Sequence, residues 1–283
     1  MTPDGSTAGG SYFSTVTAAV RDFEANGFDS QARLDHWVEL IRAAAINTLT
    51  PPAILDEELR SLLVRVYDRQ VNNGAILKRH PGVGQFTLDR VKPQMRADLD
   101  RRIRASASLI KLNQEEAVAE TIRRLSGWAT SIPAGGSEAV DVKPVKDNIR
   151  KSLAQLPFEA RRVCIDQSHK FAASLNLTLA EGGNALAGEW RSHWRQVGYH
   201  YRIDHKERDM RVYAFRKSWA MERGLITKGD GYIEDQDRVA EKPFCRCWMR
   251  FLYNLRDLPA GMLTEKGVMA LAEAKARVAA FSA

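Results

Sequence analysis

Between Ser131 and Pro144 the chain changes character. This stretch holds two prolines, two glycines and few apolar residues, the composition of an exposed connection rather than of a helix or strand. Before it, apolar residues recur every three or four positions; after it, aromatic and basic residues crowd around short alternating runs. A chain divided in this way is expected to fold as α+β. A helical domain over 1–130 and a linker over 131–144 precede a smaller mixed α+β domain with short strands over 145–283. The length of 283 residues agrees with two domains at roughly 150 residues each.

The first part reads as helix. From Gln31 to Leu49 the residues Leu34, Trp37, Val38, Ile41, Ala45 and Leu49 form one stripe at helical spacing, and Pro51-Pro52 stops it. A second helix is expected from Ala53 to about Asn72, with Leu55, Leu59, Leu62, Leu63, Val66 and Tyr67 on its buried face and Asn72-Asn73-Gly74 ending it. A third, about Leu88 to Lys111, places Pro93 in its first turn, where a missing N–H costs little. Its basic residues, among them Arg96, Arg101 and Arg102, are interleaved with Asp89, Asp98 and Asp100. That pattern describes a solvated face with intrahelical ion pairs rather than a nucleic-acid stripe. Asn113 reads as the N-cap of a fourth helix through Trp128, with Glu116 three residues on as in a capping box.

The second part alternates helix and strand signals. A helix is expected from about Pro157 to Leu179, broken by Gly182-Gly183-Asn184. Alternation at Tyr199, Tyr201 and Ile203, and again at Val212 and Ala214, predicts short strands. Asp230-Gly231 marks a turn, Phe251–Leu258 a short apolar element, and Thr264–Phe281 a closing helix.

The residues that most resemble a chemical site are His200, His205, Cys245 and Cys247. Imidazole nitrogen and thiolate sulfur are zinc's preferred ligands, and four of them would close a tetrahedral site, making its role structural. Cys-x-Cys is tighter than the usual zinc spacing and needs a particular turn; the plainer alternative is two free cysteines beside an aromatic core. Asp204, Glu207 and Asp209 lie close to His205, but acids this dense in a loop read as surface ion pairs. No nucleophile elbow, zincin helix or phosphate loop is present, so no catalytic residue is assigned. The basic set Arg191, Arg195, Arg202, Lys206, Arg208 and Arg211, interleaved with Trp194, Tyr199 and Tyr201, suits a phosphate backbone. It suits the anchors of a protein interface equally well, and both readings stay open.

Composition narrows the partners. Forty-two basic against thirty-five acidic residues leave +7, a balance that favours anionic neighbours without requiring them. Three cysteines do not make a disulfide framework and fit a reducing compartment. No run approaches the ~18 apolar residues of a membrane span, and Met1–Gly10 lacks the apolar core of a signal peptide.

The order of features from about Cys164 to Arg250, about a third of the chain, carries a resemblance. Trp194 is followed by Arg202-Ile203-Asp204-His205, then Asp209-Met210 before Val212-Tyr213, and finally Pro243-Phe244-Cys245-Arg246-Cys247. In this the chain resembles the minor head proteins of tailed bacteriophages, the Mu F-like head-morphogenesis group. Met210 stands where that family usually has glycine, and Pro243 is one residue closer to the first cysteine than is common. The resemblance implies a non-enzymatic virion component, assembled in host cytoplasm, that works with portal and capsid proteins in head assembly or DNA packaging, with packaged DNA as a further partner. The alternative from another class is a zinc-stabilised nucleic-acid-binding protein or nuclease built around His205.

Overall fold

The structure, a computed structural model, describes residues 8–137 and 141–282. It is α+β, with a mainly helical N-terminal half and a small three-stranded antiparallel sheet of short strands near the C-terminus. The helices are α1 (Ala8–Asn26), α2 (Gln31–Thr48), α3 (Pro52–Tyr67), α4 (Gln85–Ala129) and α5 (Val142–Gly182), followed by short α6 (Ile203–Glu207) and α7 (Trp219–Glu222) and by α8 (Glu265–Ser282). The strands are β1 (Ala187–Arg191), β2 (Val212–Ala214) and β3 (Trp248–Leu252). No helix is long and apolar enough to cross a membrane among the described residues.

The chain forms two compact units, each built from two separate stretches. The first comprises residues up to Leu59 and Arg104–Val163; the second comprises Arg60–Ile103 and Cys164–Ala283.

In the first unit, α1, α2 and the adjoining parts of α4 and α5 share one core. Tyr12, Val16, Ala19 and Val20 of α1 pack with Ile41 and Ala45, Leu125, and Ile149 and Leu153. A second cluster joins Phe23, Leu34 and Ala129, with Phe23 meeting Trp128 edge-on at 6.3 Å. Ser30 caps α2, its hydroxyl accepting from the Arg33 N–H at 3.3 Å. Part of the stretch expected as a linker is pinned to the end of α1: the Gly135 and Ser137 N–H groups donate to the carbonyls of Asn26 and Glu24 at 3.0 and 2.9 Å. This contact requires glycine at position 27, where φ is +72° and a Cβ would lie 1.8 Å from the Pro133 carbonyl oxygen. Residues 138–140 lie outside the described residues.

Several expected boundaries move. Residues 85–129 form one helix, so Asn113 is an interior position and not an N-cap. Between Pro93 and Gly127 no glycine or proline interrupts the helix, and the buried stripe runs on through Ile103, Ser106, Ile110, Ala117, Thr121 and Leu125, so packing carries the helix past a local capping signal. Pro93 sits in the third turn rather than the first. Interior proline costs about 3 kcal/mol, which burial of the neighbouring Val91 and Met95 offsets. Likewise α5 begins at Val142 and contains Pro157. The charges on α4 pair along the helix as expected, with Lys92–Asp89 at 2.7 Å and Arg102–Asp98 at 2.9 Å. The second helix ends at Tyr67, its last expected turn widening into a π-turn over Asp68–Asn72.

In the second unit, Leu63, Tyr67, Leu88, Met95, Leu99, Phe171, Leu175 and Leu179 form the helical core. The sheet has the order β2-β1-β3, with Gly188 opposite both Tyr213 and Phe251. It is covered on both sides. Leu186, Ala187, Val212, Ala214 and Leu252 join one cluster, and Trp190, Tyr213, Phe215 and Phe251 join the other with Cys245 and Cys247. The alternation at Tyr199, Tyr201 and Ile203 does not make a strand; Ile203 is exposed and begins α6. The strand expected at Val212 and Ala214 is β2, and Phe251 belongs to β3, which starts at Trp248.

Candidate metal centre

β1 leads into a loop that delivers α6, and a second loop returns the chain to β3; His205 and the two cysteines lie between them. His205, Cys245 and Cys247 are buried, at 2%, 1% and 5% exposure. His205 Nδ1 lies 3.4 Å from Cys245 Sγ and 3.5 Å from Cys247 Sγ. Zn–S bonds of about 2.3 Å and Zn–N bonds of about 2.0–2.1 Å put the S···N edge of a tetrahedron at about 3.5–3.6 Å. Both S···N edges therefore already have tetrahedral spacing, and all three ligand atoms lie within 4.8 Å of one another.

The other ring nitrogen of His205 is also placed. Nε2 has no hydrogen-bond partner among the described residues and is 3.7 Å from the Asp204 carboxylate. A carboxylate on the far nitrogen of a ligating histidine fixes its tautomer and raises its basicity. Asp204 is in turn held by Lys242 at 3.2 Å and Arg208 at 3.7 Å, and Lys242 bridges to Asp237 at 2.8 Å. Burial works against the Asp204 charge, but Lys242, His205 and Arg208 hold its carboxyl below the usual range. Fully buried Trp190 meets the His205 ring edge-on at 5.3 Å.

Its neighbour Cys247 lowers the Cys245 thiol below the usual range against the effect of burial. Cys247 is pushed up by its Cys245 neighbour and by burial. A lowered thiol favours the thiolate form that binds a cation.

Of the four expected ligands, the structure brings three together. His200 is exposed and stands apart. Its neighbour Tyr199 turns inward, accepting from the Arg246 N–H at 3.1 Å and donating to the Phe244 carbonyl at 3.4 Å, which turns His200 outward. Among the described residues no other His, Cys, Asp or Glu completes the group.

The expected basic set divides. Arg202 donates to the Pro243 carbonyl at 3.0 Å, Arg208 pairs with Asp204 and Asp237, and Arg191 pairs with Glu189 at 2.7 Å. Arg195, Lys206 and Arg211 are exposed, with Arg195 and Lys206 over the Trp194 ring at 4.9 and 4.8 Å. Asp209 accepts from the Ser192 N–H and the Trp194 indole, both at 2.8 Å. Despite burial, these bonds hold its carboxyl low.

No family model, curated protein or solved structure matches this chain.

Sequence reasoning missed Asp166, Asp237 and Lys242. Asp166 accepts from the Phe244 N–H at 2.6 Å and so supports that residue at φ +59°, just before the first cysteine. Their only sequence signal was charge, which does not distinguish a loop anchor from a surface residue.

Proposed function

We propose that the protein is a non-enzymatic virion component of a tailed bacteriophage, acting in head assembly or DNA packaging at the portal or inner capsid surface. The observation that carries this reading is that the residues of the head-morphogenesis-like motif are engaged with one another. Trp194 binds Asp209, Arg202 binds the Pro243 carbonyl, and His205 meets Cys245 and Cys247. Met210, at the family's glycine position, has φ +67°, the left-handed conformation that glycine favours. Side chains used in this way brace a module, whereas a hydrolase aims its acid and base at substrate. Arg195, Lys206 and Arg211 face outward as contacts for portal, capsid protein or packaged DNA.

Within this module we assign His205, Cys245 and Cys247 one structural zinc, tying α6 to the loop before β3. A second reading draws on the ligand number: three protein ligands leave a fourth position for water, as a zinc-dependent nuclease would require. His205→Ala discriminates the two. Under the nuclease reading it abolishes cleavage of DNA by well-folded protein; under the assembly reading it impairs folding or incorporation and there is no cleavage to lose. The deciding experiment is sedimentation of the tagged protein from producing cells, with mass spectrometry of what travels with it. Co-migration with capsid-sized shells and a portal protein is expected. A slow-sedimenting species without capsid partners overturns the assembly reading.

A further inference from the structure

The second unit contains a cleft of about 800 Å³ that the assembly reading does not use. One wall is a continuous run from Arg246 to Asn254, that is, β3 and its flanks seen edge-on. Opposite lie Lys78 and Arg79, with Ala172, Ala173 and Asn176 of α5. We propose that this cleft receives an acidic peptide segment in extended conformation, which adds to the sheet as a strand alongside β3.

The backbone supplies the first argument. β3 is an edge strand, with β1 as its sole neighbour in the sheet among the described residues. Trp190 exchanges backbone bonds with Arg211 and Met210 on the β2 side. Alternation then turns Ala187, Glu189 and Arg191 toward β3, opposite Leu252, Arg250 and Trp248. The N–H and C=O groups of Met249 and Phe251 consequently point away from β1; both residues line the cleft, Met249 half-buried and Phe251 buried. A strand's free edge lining a cleft is the template used in β-strand addition. The open part of β3, Trp248 to Arg250, offers roughly 10 Å of edge at about 3.4 Å per residue, enough for a short segment.

Charge supplies the second argument. Lys78, Arg79, Arg246, Arg250 and Arg256 line the cleft, with Asp257 the single carboxylate there among the described residues. Arg250 is paired with Glu189 at 3.5 Å and Arg256 with Asp257 at 3.7 Å. Lys78, Arg79 and Arg246 have no carboxylate partner among the described residues. Alternation also puts Arg246, Trp248 and Arg250 on one exposed face while Cys247 is buried between them. A segment bearing acidic residues at every second position would meet that row. The inference goes beyond the assembly reading and does not depend on the metal cluster; peptide binding and capsid co-sedimentation can each fail while the other holds.

The test uses the full chain and a fluorescein-labelled eight-residue peptide alternating Glu and Val, followed by anisotropy. Saturable binding is expected, with slowed hydrogen exchange at the backbone amides of Met249 and Phe251. Two peptides N-methylated on every Glu or on every Val should differ, one binding roughly tenfold or more weakly because its edge donors are gone. The double variant Lys78→Glu/Arg79→Glu, both exposed, should weaken binding by at least about tenfold with an unchanged thermal midpoint. Absence of binding overturns the proposal, as does equal binding by both methylated peptides. Tighter binding of labelled dT10 than of the peptide would reassign the cleft to single-stranded nucleic acid and also overturns it.

Discussion

Lowering the pH from 7 to 5 should remove about 2 kcal/mol of stability from the second unit through one side chain, His80. The ring is 1% exposed and stacks on Phe251 at 5.4 Å. Asn176 donates its amide to the Ala172 carbonyl at 2.7 Å, so its oxygen faces His80 Nε2 at 3.0 Å and must accept a hydrogen bond from it. Nε2 therefore carries the hydrogen, and Nδ1 accepts from the Tyr253 hydroxyl. Burial, joined by the nearby Arg79 charge and opposed by the Asn176 bond, holds the imidazolium down to about 4, against 6.5 for an unhindered histidine. Because the folded-state value is depressed, the contribution is fully present above about pH 6.5, shrinks as the unfolded chain takes up its proton, and is lost by about pH 4. Its full size is about 3 kcal/mol, of which about 2 kcal/mol has gone at pH 5. Urea unfolding of the wild type and His80→Gln at both pH values isolates the effect, since other groups titrate in both proteins. The wild type should lose about 2 kcal/mol more than the variant between pH 7 and 5. Parallel losses, or an NMR titration of the His80 ring near 6.5, would refute the reasoning.

Three further outcomes are expected. Purified protein should contain one zinc per chain by elemental analysis, a chelator should lower its thermal midpoint, and Cys245→Ser should abolish both the metal and the chelator's effect. Met210→Gly should be neutral or stabilising by up to about 1 kcal/mol in urea unfolding. Relief of a left-handed backbone gives about 1–2 kcal/mol, the entropy of glycine takes back about 0.5–1 kcal/mol, and the half-exposed side chain has little packing to lose. Asn113→Ala should stabilise by about 0.5 kcal/mol as an interior helix position; a loss of about 1 kcal/mol, the mark of a true N-cap, would contradict the continuous α4.

The periodic part of the fold was legible because burial follows sequence spacing. Leu34, Ile41 and Ala45 lie on the buried face of α2, as their spacing requires. The stripe Tyr12, Val16, Ala19, Val20 and Phe23 announced α1 in the same way, but the surrounding threonines and glycines hid it. Local signals misled where tertiary packing dominated. Asn113 has the chemistry of a cap, yet Ile110 and Ala117 continue one buried stripe across it. At the metal centre, residue type sufficed for His205, Cys245 and Cys247. Separating His205 from His200 needed the orientation of Tyr199, which depends on Phe244 and Arg246 more than forty residues later. The His80–Asn176–Tyr253 arrangement joins three distant segments, and none of the three carries a pattern of its own.

The interleaving of the two compact units in sequence constrains the order in which a ribosome can complete them. When residue 103 emerges, the first unit has α1 and α2 but lacks Leu125, Ile149 and Leu153, while the second has Leu63, Leu88 and Leu99 without Phe171 or Leu175. The first can close its core only once residues near Leu153 are made, and the second must wait for the later part of α5 and the sheet. At roughly 5–20 residues per second, the apolar faces of α1 and α2 stay uncovered for several seconds. A truncation ending near residue 130 would leave both cores open. Such a fragment should precipitate or recruit chaperones, which makes cutting this protein at its most obvious break the wrong way to obtain a folded half.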